Sequence, residues 1–276
     1  MGWGVGARGE AGWVGVRSVE AGVAPTAVDV RTRYYGRHDR RADVGWRQAD
    51  AGVLRSAVHG SARLEGMFAP FTLEGTHVRL EPLSHDHVDE LLEAATGDRS
   101  SFGFTLVPSD RAAMTAYVEK ALAHAGAGDQ VPFATRSVAL GTVVGATRFY
   151  ELEPWDWTEL EPGATPAPHG GVRDRASIGH TWLGPAVQRT PVNTEAKLLM
   201  LGHAFETWRV RAVRLQTDSR NERSRAAIAR LGCSLDGVLR VDRPAPDGAV
   251  RHSAVFSMTA DEWPAARSGL EQRLGR

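Results

Sequence analysis

Residues 178–197 read IGHTWLGPAVQRTPVNTEAK, and the fold predicted for the chain is built around this stretch. The first six residues predict a β-strand over 178–183. A polar link follows, and apolar residues at helical spacing then predict an α-helix over 193–208. The apolar stripe of that helix consists of Leu198, Leu201, Phe205 and Trp208. The stretch is therefore a strand, loop and helix unit of the kind from which α/β sheets are assembled.

The other predicted elements extend from this unit in both directions. Strands are predicted over 76–83, 131–139, 142–150 and 213–217 and in a closing hairpin that turns at Pro246-Asp247-Gly248. Helices are predicted over 84–97, 109–125, 221–231 and 261–274. The resulting order is strand, two helices, three strands, helix, strand, helix, two strands and helix. One α/β (α+β) domain with a mixed sheet of about seven strands accounts for this order.

Composition excludes several classes of protein. Lysine plus arginine number 33 and aspartate plus glutamate 33, so no net field attracts nucleic acid or an anionic membrane. The single cysteine, Cys233, excludes an internal disulfide framework, and no Cys/His cluster has the spacing of a metal site. No apolar run approaches the roughly 20 residues of a membrane span, and the N-terminus lacks the apolar core of a secretory signal. We expect a cytoplasmic protein that binds no metal, nucleic acid or membrane.

Residues 1–66 differ from the rest of the chain. They contain 12 of the 30 glycines and ten arginines but no lysine, and their apolar residues follow neither a helix nor a strand period. We expect a disordered extension, or upstream sequence ahead of a true start at Met67, with a weakly basic arm as the alternative. The structured domain is expected over 67–276.

Two polar segments at predicted helix starts carry the candidate chemistry. The first, 188–194, follows the strand over 178–183, and its backbone N–H groups and the helix dipole favour a phosphate. The second is Asn221-Glu-Arg-Ser224, at the start of a later helix. Capping alone also explains both segments, with Asn221 or Ser219 as the cap of the second. Neither segment by itself identifies an enzyme.

In this order and on these elements, the segments resemble the GNAT N-acetyltransferases, and within them the branch of RimJ/RimL-type ribosomal-protein N-terminal acetyltransferases. The matching motifs are IGHTWLGP at 178–185, QRTPVNTEAK at 188–197, DSRNERS at 218–224 and RLGC at 230–233. The resemblance extends from residue 71 to about residue 274. It is specific because several separated motifs agree in order and spacing.

The resemblance implies acetyl-CoA as co-substrate, without a metal, and it implies where acetyl-CoA binds. The two central parallel strands splay, the pantetheine arm enters the gap along 178–183, and the pyrophosphate rests on 188–194. The cofactor-binding residues implied in this way are Leu183, Gln188, Arg189, Thr190, Val192, Asn193, Thr194, Asn221 and Ser224. Family members commonly carry glycines where this chain has Pro191 and Asn193, and Pro191 lacks a backbone N–H donor.

The resemblance also implies how acyl transfer is assisted. Backbone N–H groups around Leu183 are expected to polarise the thioester carbonyl. Ser224 is the candidate donor of a proton to the leaving sulfur, since Ile228 stands where many members carry a tyrosine.

The general base is a separate question. His180 is the candidate because its ordinary pKa is about 6.5, and a packed histidine is the alternative. Strand alternation predicts that it shares one face with Ile178 and Trp182. Related proteins often have a glutamate where this chain has Ser177, so a water-mediated base, Glu151 or Asp156 also stays open.

The acceptor side is predicted from the long segment 151–175, which is rich in proline and tryptophan. Trp155 and Trp157 are expected to line the acceptor site together with Arg148, or else to be anchors that pin the segment to the domain. The predicted function is acetyl transfer to a primary amine, a protein N-terminus or a small amine, by direct attack in a ternary complex. The alternative is a catalytically silent acyl-CoA-binding or regulatory module. Both a monomer and a homodimer fit the sequence.

Overall fold

The computed structural model describes residues 70–155, 157, 163 and 173–276. The expectations for 1–66 and for Asp156 lie outside the described residues. Within that part of the chain, one sheet contains eight strands: β1 Leu73–Glu74, β2 Val78–Pro82, β3 Gln130–Ser137, β4 Val143–Glu153, β5 Arg175–Leu183, β6 Ala212–Asp218, β7 Ser234–Pro244 and β8 Val250–Thr259.

The sheet is mixed, as predicted. Its strand order is β1-β2-β3-β4-β5-β6-β8-β7, and every neighbouring pair is antiparallel except β5 with β6. The α/β class is confirmed, with one strand more than the seven predicted. The additional strand is β1, which has two residues and is too short to show alternation in the sequence.

Helices cover both faces of the sheet. Those of the described residues are α1 Val88–Ala94, α2 Arg111–Gly126, α3 Pro191–Gly202, α4 Glu222–Ala229 and α5 Trp263–Arg273. Helices α1 and α2 share one hydrophobic cluster, whereas α3 and α5 belong to the larger cluster on the opposite face. The predicted order of helices and strands is confirmed. None of these helices combines the length and the apolar character needed to cross a membrane.

Helix α3 begins earlier than predicted and ends sooner. The hydroxyl of Thr190 accepts the N–H of Val192 at 3.4 Å, and Pro191 occupies the first turn, where its fixed φ suits a helix start. After Gly202 the chain continues as a π-helical turn over His203–Thr207. The predicted helix from about 193 to about 208 is therefore present, but it starts two residues earlier and its last turn is π-helical. The buried stripe that suggested it is nevertheless present.

Glu195 anchors α3 to the beginning of β2. Its carboxylate is fully buried and accepts the backbone N–H groups of Thr76 at 2.9 Å, Val78 at 2.9 Å and His77, together with the guanidinium of Arg276. A side chain at Gly75 would place its Cβ 2.4 Å from this carboxyl group, which explains the glycine there. The carboxylate of Glu195 thus binds α3 to the beginning of β2 and to Arg276.

We expect Glu195→Ala to lower the free energy of unfolding by about 3 kcal/mol or more, because it leaves several buried N–H groups without an acceptor. Urea unfolding at pH 7 measures this. The matched control is Glu119→Ala on the exposed side of α2, which should change stability by less than about 0.5 kcal/mol. Equal losses in the two variants would contradict the anchoring role.

Candidate functional site

The candidate site lies where the two parallel strands separate. Strands β5 and β6 pair through three residue pairs, the last of which joins Ser177 to Arg214. Beyond them β5 continues to Leu183 and β6 to Asp218 with no pairing between the two strands. Backbone groups that face this opening have no strand partner, so a ligand can supply one. The carboxyl ends of parallel strands are also the usual ligand site in sheets of this class.

A β-bulge in β5 lies at the edge of the opening. In the pairing of β4 with β5, His180 and Thr181 both stand opposite Thr147, and His180 has φ +51°. The predicted alternation was wrong as a result. Ile178 packs in the cluster that contains α3, whereas Trp182 packs in the cluster of α1 and α2. The extra residue reverses the faces beyond it, as a one-residue slip in a strand does.

Leu183 presents backbone groups to the opening. The N–H of Gly184 donates to the carbonyl of Val144 at 2.8 Å, so these two residues form a hydrogen-bonded pair of the antiparallel ladder. Neighbouring pairs alternate, so the N–H and C=O of Leu183 point away from β4, toward the side of β6. The Leu183 carbonyl accepts the side chain of Gln188 at 3.1 Å. The N–H of Leu183 is therefore directed to the opening.

The segment 188–194 forms the start of α3 beside the opening. Arg189 is exposed with φ +63°, Val192 is buried, and Thr194 is half-buried. The first backbone N–H groups of a helix have no carbonyl partner within it, so an anion can accept from them. The Oδ1 atom of Asn193 is buried without a hydrogen-bond partner among the described residues. The carboxylate of Glu195 is directed to the beginning of β2, where it accepts backbone N–H groups.

The second predicted segment begins α4 at the end of β6. The side chain of Asn221 caps the helix by accepting the N–H of Ser224 at 3.0 Å, so Asn221 rather than Ser219 is the cap. Arg223 donates to the carbonyl of Ser101 at 3.0 Å, and the hydroxyl of Ser101 accepts the Gln188 amide at 2.8 Å. The segment between α1 and α2 thus connects the starts of α3 and α4.

Tyr150 of β4 spans the parallel strands on the face of α1 and α2. Its hydroxyl accepts the side-chain amide of Gln216 on β6 at 3.0 Å. The ring passes over Gly179, where a Cβ would lie 2.8 Å from a ring carbon, so β5 needs a glycine at this position. Burial, and then the charge of Glu151, raise the pKa of Tyr150, which stays a neutral phenol at physiological pH.

His180 and Arg148 lie on the same side as Tyr150. The imidazole of His180 is 5.3 Å from the Tyr150 ring. The residue is solvent-accessible, yet the atoms crowded around its ring, and then the charge of Arg148, lower the pKa of His180 to about 4. Arg148 is buried, donates to the Gln130 side chain at 2.8 Å and lies 5.2 Å from the centre of the Tyr117 ring. His180 is therefore neutral at pH 7 and faces a fixed positive charge.

Glu151 brings a carboxylate to the neighbouring strand. Its Oε2 atom accepts the hydroxyl of Ser177 at 2.7 Å, and its φ is +49°, a costly conformation for a residue other than glycine. The carboxylate therefore lies against Ser177, the position where the proteins that the chain resembles often have a glutamate. A cavity of about 760 Å³ opens beside it, lined by His124, Asp129, Gln130, Tyr150, Glu151 and Arg173 among others.

Trp155 and Trp157 lie at the opposite end of β5 from the opening. The backbone N–H of Trp155 donates to Asp174 at 2.8 Å, and the indole of Trp157 donates to the same carboxylate at 3.2 Å. Arg211 pairs with Asp174 and lies 4.6 Å from the centre of the Trp157 ring. These contacts favour the interpretation of the two tryptophans as anchors, and contact with the acceptor stays a prediction.

Lys197 is a buried residue that the sequence analysis missed. Its Nζ donates to the hydroxyl of Thr181 at 2.8 Å and to that of Thr147 at 3.2 Å. Burial lowers the pKa of Lys197 to about 7. The available signal was its spacing, because Lys197 precedes Leu201 by four residues and so falls on the apolar stripe of α3.

We expect Lys197→Met to be more stable than the wild type near pH 7. Between about pH 7 and 10.5 the unfolded chain holds a proton on Lys197 that the native chain lacks, so wild-type stability rises with pH in this window. The advantage of Lys197→Met should then shrink by about 1.4 kcal/mol per pH unit above pH 7 in urea unfolding. Parallel pH curves for the two proteins would contradict this.

Selective ¹⁵N labelling of lysine side chains allows the pKa of Lys197 to be measured directly by NMR titration. The sequence contains two lysines, Lys120 and Lys197, so each contributes one side-chain signal. Lys120 is exposed and serves as the internal reference.

Comparison with known proteins places the fold in one family. The family model for the acetyltransferase (GNAT) domain matches residues 77–234. A putative acetyltransferase from T. thermophilus is 33% identical, with 75% of this chain and 98% of that chain covered and a TM-score of 0.59. A GCN5-related N-acetyltransferase from Brucella melitensis is 27% identical over 73% of this chain and 84% of that chain, with a TM-score of 0.62.

A third solved structure shares the fold at lower identity. Mycobacterium smegmatis RimJ, in complex with CoA-disulfide, is 19% identical over 75% of this chain and 94% of that chain, with a TM-score of 0.58. No curated protein sequence matches the chain. The family match and the structural matches confirm the resemblance predicted from the sequence motifs.

Proposed function

Because the chain belongs to the GNAT acetyltransferases, in their RimJ/RimL-type branch, we propose that it transfers an acetyl group from acetyl-CoA to a primary amine. The amine attacks the thioester directly while both substrates are bound in one ternary complex. One observation carries the proposal: β5 and β6 part beyond Ser177 and Arg214, and α3 begins beside the opening.

The groups around the opening fit acetyl-CoA. The N–H of Leu183 is directed to the opening and is available to the amide-rich pantetheine arm or to the thioester carbonyl. The first turn of α3 offers N–H groups and the positive end of a helix dipole to the pyrophosphate. Pro191 removes one of these donors without weakening the helix, because the first helical position has no intrahelical bond to lose.

Ser224 is proposed as the proton donor to the departing sulfur. It lies in the first turn of α4, where Asn221 fixes its backbone. In the balanced reaction the acceptor starts as an ammonium and passes one proton to a base and then to solvent. The neutral amine then attacks the acetyl carbon, the C–S bond breaks, and the nitrogen loses its second proton to solvent. Ser224 delivers a proton to the sulfur and regains one from solvent.

Glu151 is proposed as the base. Its carboxylate is exposed beside the cavity at β4 and is fixed by Ser177 at 2.7 Å, so it can bind an acceptor ammonium and take its proton. His180 stays the second candidate. Its environment is less favourable for a cationic acceptor, because burial, and then the charge of Arg148, already lower the pKa of its imidazole.

The acceptor is proposed to be a protein N-terminus or a small amine. An α-amino group has a pKa near 8 and loses its proton more readily than a lysine side chain with a pKa of about 10.4. A site with a single carboxylate base therefore suits an α-amino acceptor better than a lysine side chain. The cavity beside Glu151 is the proposed acceptor site.

We expect the full chain to bind acetyl-CoA saturably in calorimetry, and the Asn221→Ala, Ser224→Ala double variant to bind at least about tenfold more weakly, since it removes the cap of α4 and a side chain beside the opening. Cys233→Ser, at a buried position beyond the C-terminal end of α4, is the control. No binding to folded wild type would contradict the cofactor site. Binding without acetylation of any peptide N-terminus or small amine would favour the silent acyl-CoA-binding module.

Replacing Glu151 by Gln should lower kcat/KM for the amine by about a hundredfold, because a positioned base contributes at least that much, while the KM for acetyl-CoA stays unchanged. Glu153→Gln, two residues along the same strand and paired with Arg175, is the matched control and should have a smaller effect. Initial rates with a peptide N-terminus as acceptor measure both. Full activity in Glu151→Gln would show that Glu151 is not the base and would favour His180 or a water-mediated base.

A further inference from the structure

Lys197 lies directly behind the strand that is proposed to bind acetyl-CoA, and none of the proposed catalytic roles uses it. The residue is buried on α3, and its Nζ bonds the hydroxyls of Thr147 on β4 and Thr181 on β5, which are themselves 2.7 Å apart. Both threonines flank the bulge at His180. A buried amine therefore contacts the irregular part of the sheet at the edge of the opening.

Stability does not explain a lysine at this position. No carboxylate among the described residues is paired with its Nζ, and burial is the cause of its lowered pKa. An ammonium that has two hydroxyls as its partners is costly to bury, and an apolar side chain of similar length would be cheaper. Perturbed groups of this kind cluster at functional sites, where their cost is offset by their use.

The contacts of Lys197 act on the backbone of β5. Both threonine hydroxyls also lie 3.5 Å from the carbonyl oxygen of Gly179, the residue before the bulge. Because both hydroxyls accept from Nζ, one threonine donates its proton to the other hydroxyl, and the second threonine is left to donate to that carbonyl. The network thus joins α3, β4 and β5 at one point and holds His180 at φ +51°.

The position of the bulge decides what faces the opening. It places His180 beside Tyr150 on one side of the sheet and Thr181 beside Lys197 on the other. It also sets the ladder phase that directs the N–H of Leu183 to the opening. A shift of this segment would misplace these groups together.

We propose that Lys197 is a positioning residue for acetyl transfer, which acts through Thr147 and Thr181 to hold the β5 bulge in the geometry that the reaction requires. The proposal rests on the proposed function. Lys197 does not touch substrate; it acts behind the strand that does.

The test compares Lys197→Met with Lys120→Met, a change at the other lysine, in steady-state acetylation of a peptide N-terminus. We expect kcat to fall about tenfold to a hundredfold in Lys197→Met, as for a small misplacement of reacting groups, while Lys120→Met retains wild-type kcat. Urea unfolding at pH 7 shows in parallel that Lys197→Met is at least as stable as the wild type. Lower kcat in a protein of undiminished stability separates positioning from a merely structural role.

A second pair of variants keeps the test decisive if Lys197→Met fails to fold. Thr181→Ser retains the hydroxyl and should retain kcat, whereas Thr181→Val removes it and should lower kcat to a similar extent as Lys197→Met. Combining Lys197→Met with Thr181→Val should lower kcat little further, because both break one network. Unchanged kcat in Lys197→Met, or equal kcat in the serine and valine variants, would overturn the proposal.

Failure of the proposed function is distinguishable from failure of this inference. If wild type acetylates no amine, the proposed function fails first. Amide hydrogen exchange then still reports the network, and Lys197→Met should exchange faster at Thr181, Trp182 and Leu183 than Lys120→Met. Equal exchange in the two variants would overturn the role assigned to Lys197.

Discussion

The short pairing of β5 with β6 is the constraint on which the rest of the molecule depends. Two parallel strands that stay paired along their length satisfy their own backbone groups and leave no entry for a ligand. Here pairing ends at Ser177 and Arg214, so the following residues of β5 face an opening instead of a strand. Tyr150 joins β4 to Gln216 of β6 across this region, which links the strands by side chains where backbone pairing has ended.

Helix α3 connects this opening to the rest of the fold through two buried ionisable side chains, whose burial affects stability in opposite directions. Glu195 is matched by backbone N–H groups of the turn before β2 and by Arg276, so its burial ties the helix to the sheet. Lys197, two residues later, has two hydroxyls as partners and, among the described residues, no opposite charge. The difference in partners makes the first residue a source of stability and the second a cost that needs another explanation.

Several departures from the family pattern are accompanied by compensating features nearby. Pro191 stands at the first position of α3, where a proline sacrifices no helical hydrogen bond. Ser177 stands where a glutamate is common, and the carboxylate of Glu151 reaches its hydroxyl from the adjacent strand. The carboxylate expected at this position is thus supplied from the adjacent strand.

The sequence by itself determined the order of helices and strands and the mixed α/β class, because periodicity, capping residues and turn residues are local properties. The family followed from the resemblance of the motifs between residues 178 and 233. It also located the segments 188–194 and 221–224, which the fold brings to the ends of β5 and β6. It could not determine the faces of β5, since the bulge at His180 arises from pairing with β4 and reverses Ile178 relative to Trp182. Only the tertiary structure brought Glu151 to Ser177 and buried Lys197 behind the bulge, because a side chain's partners and burial depend on what other elements pack against it.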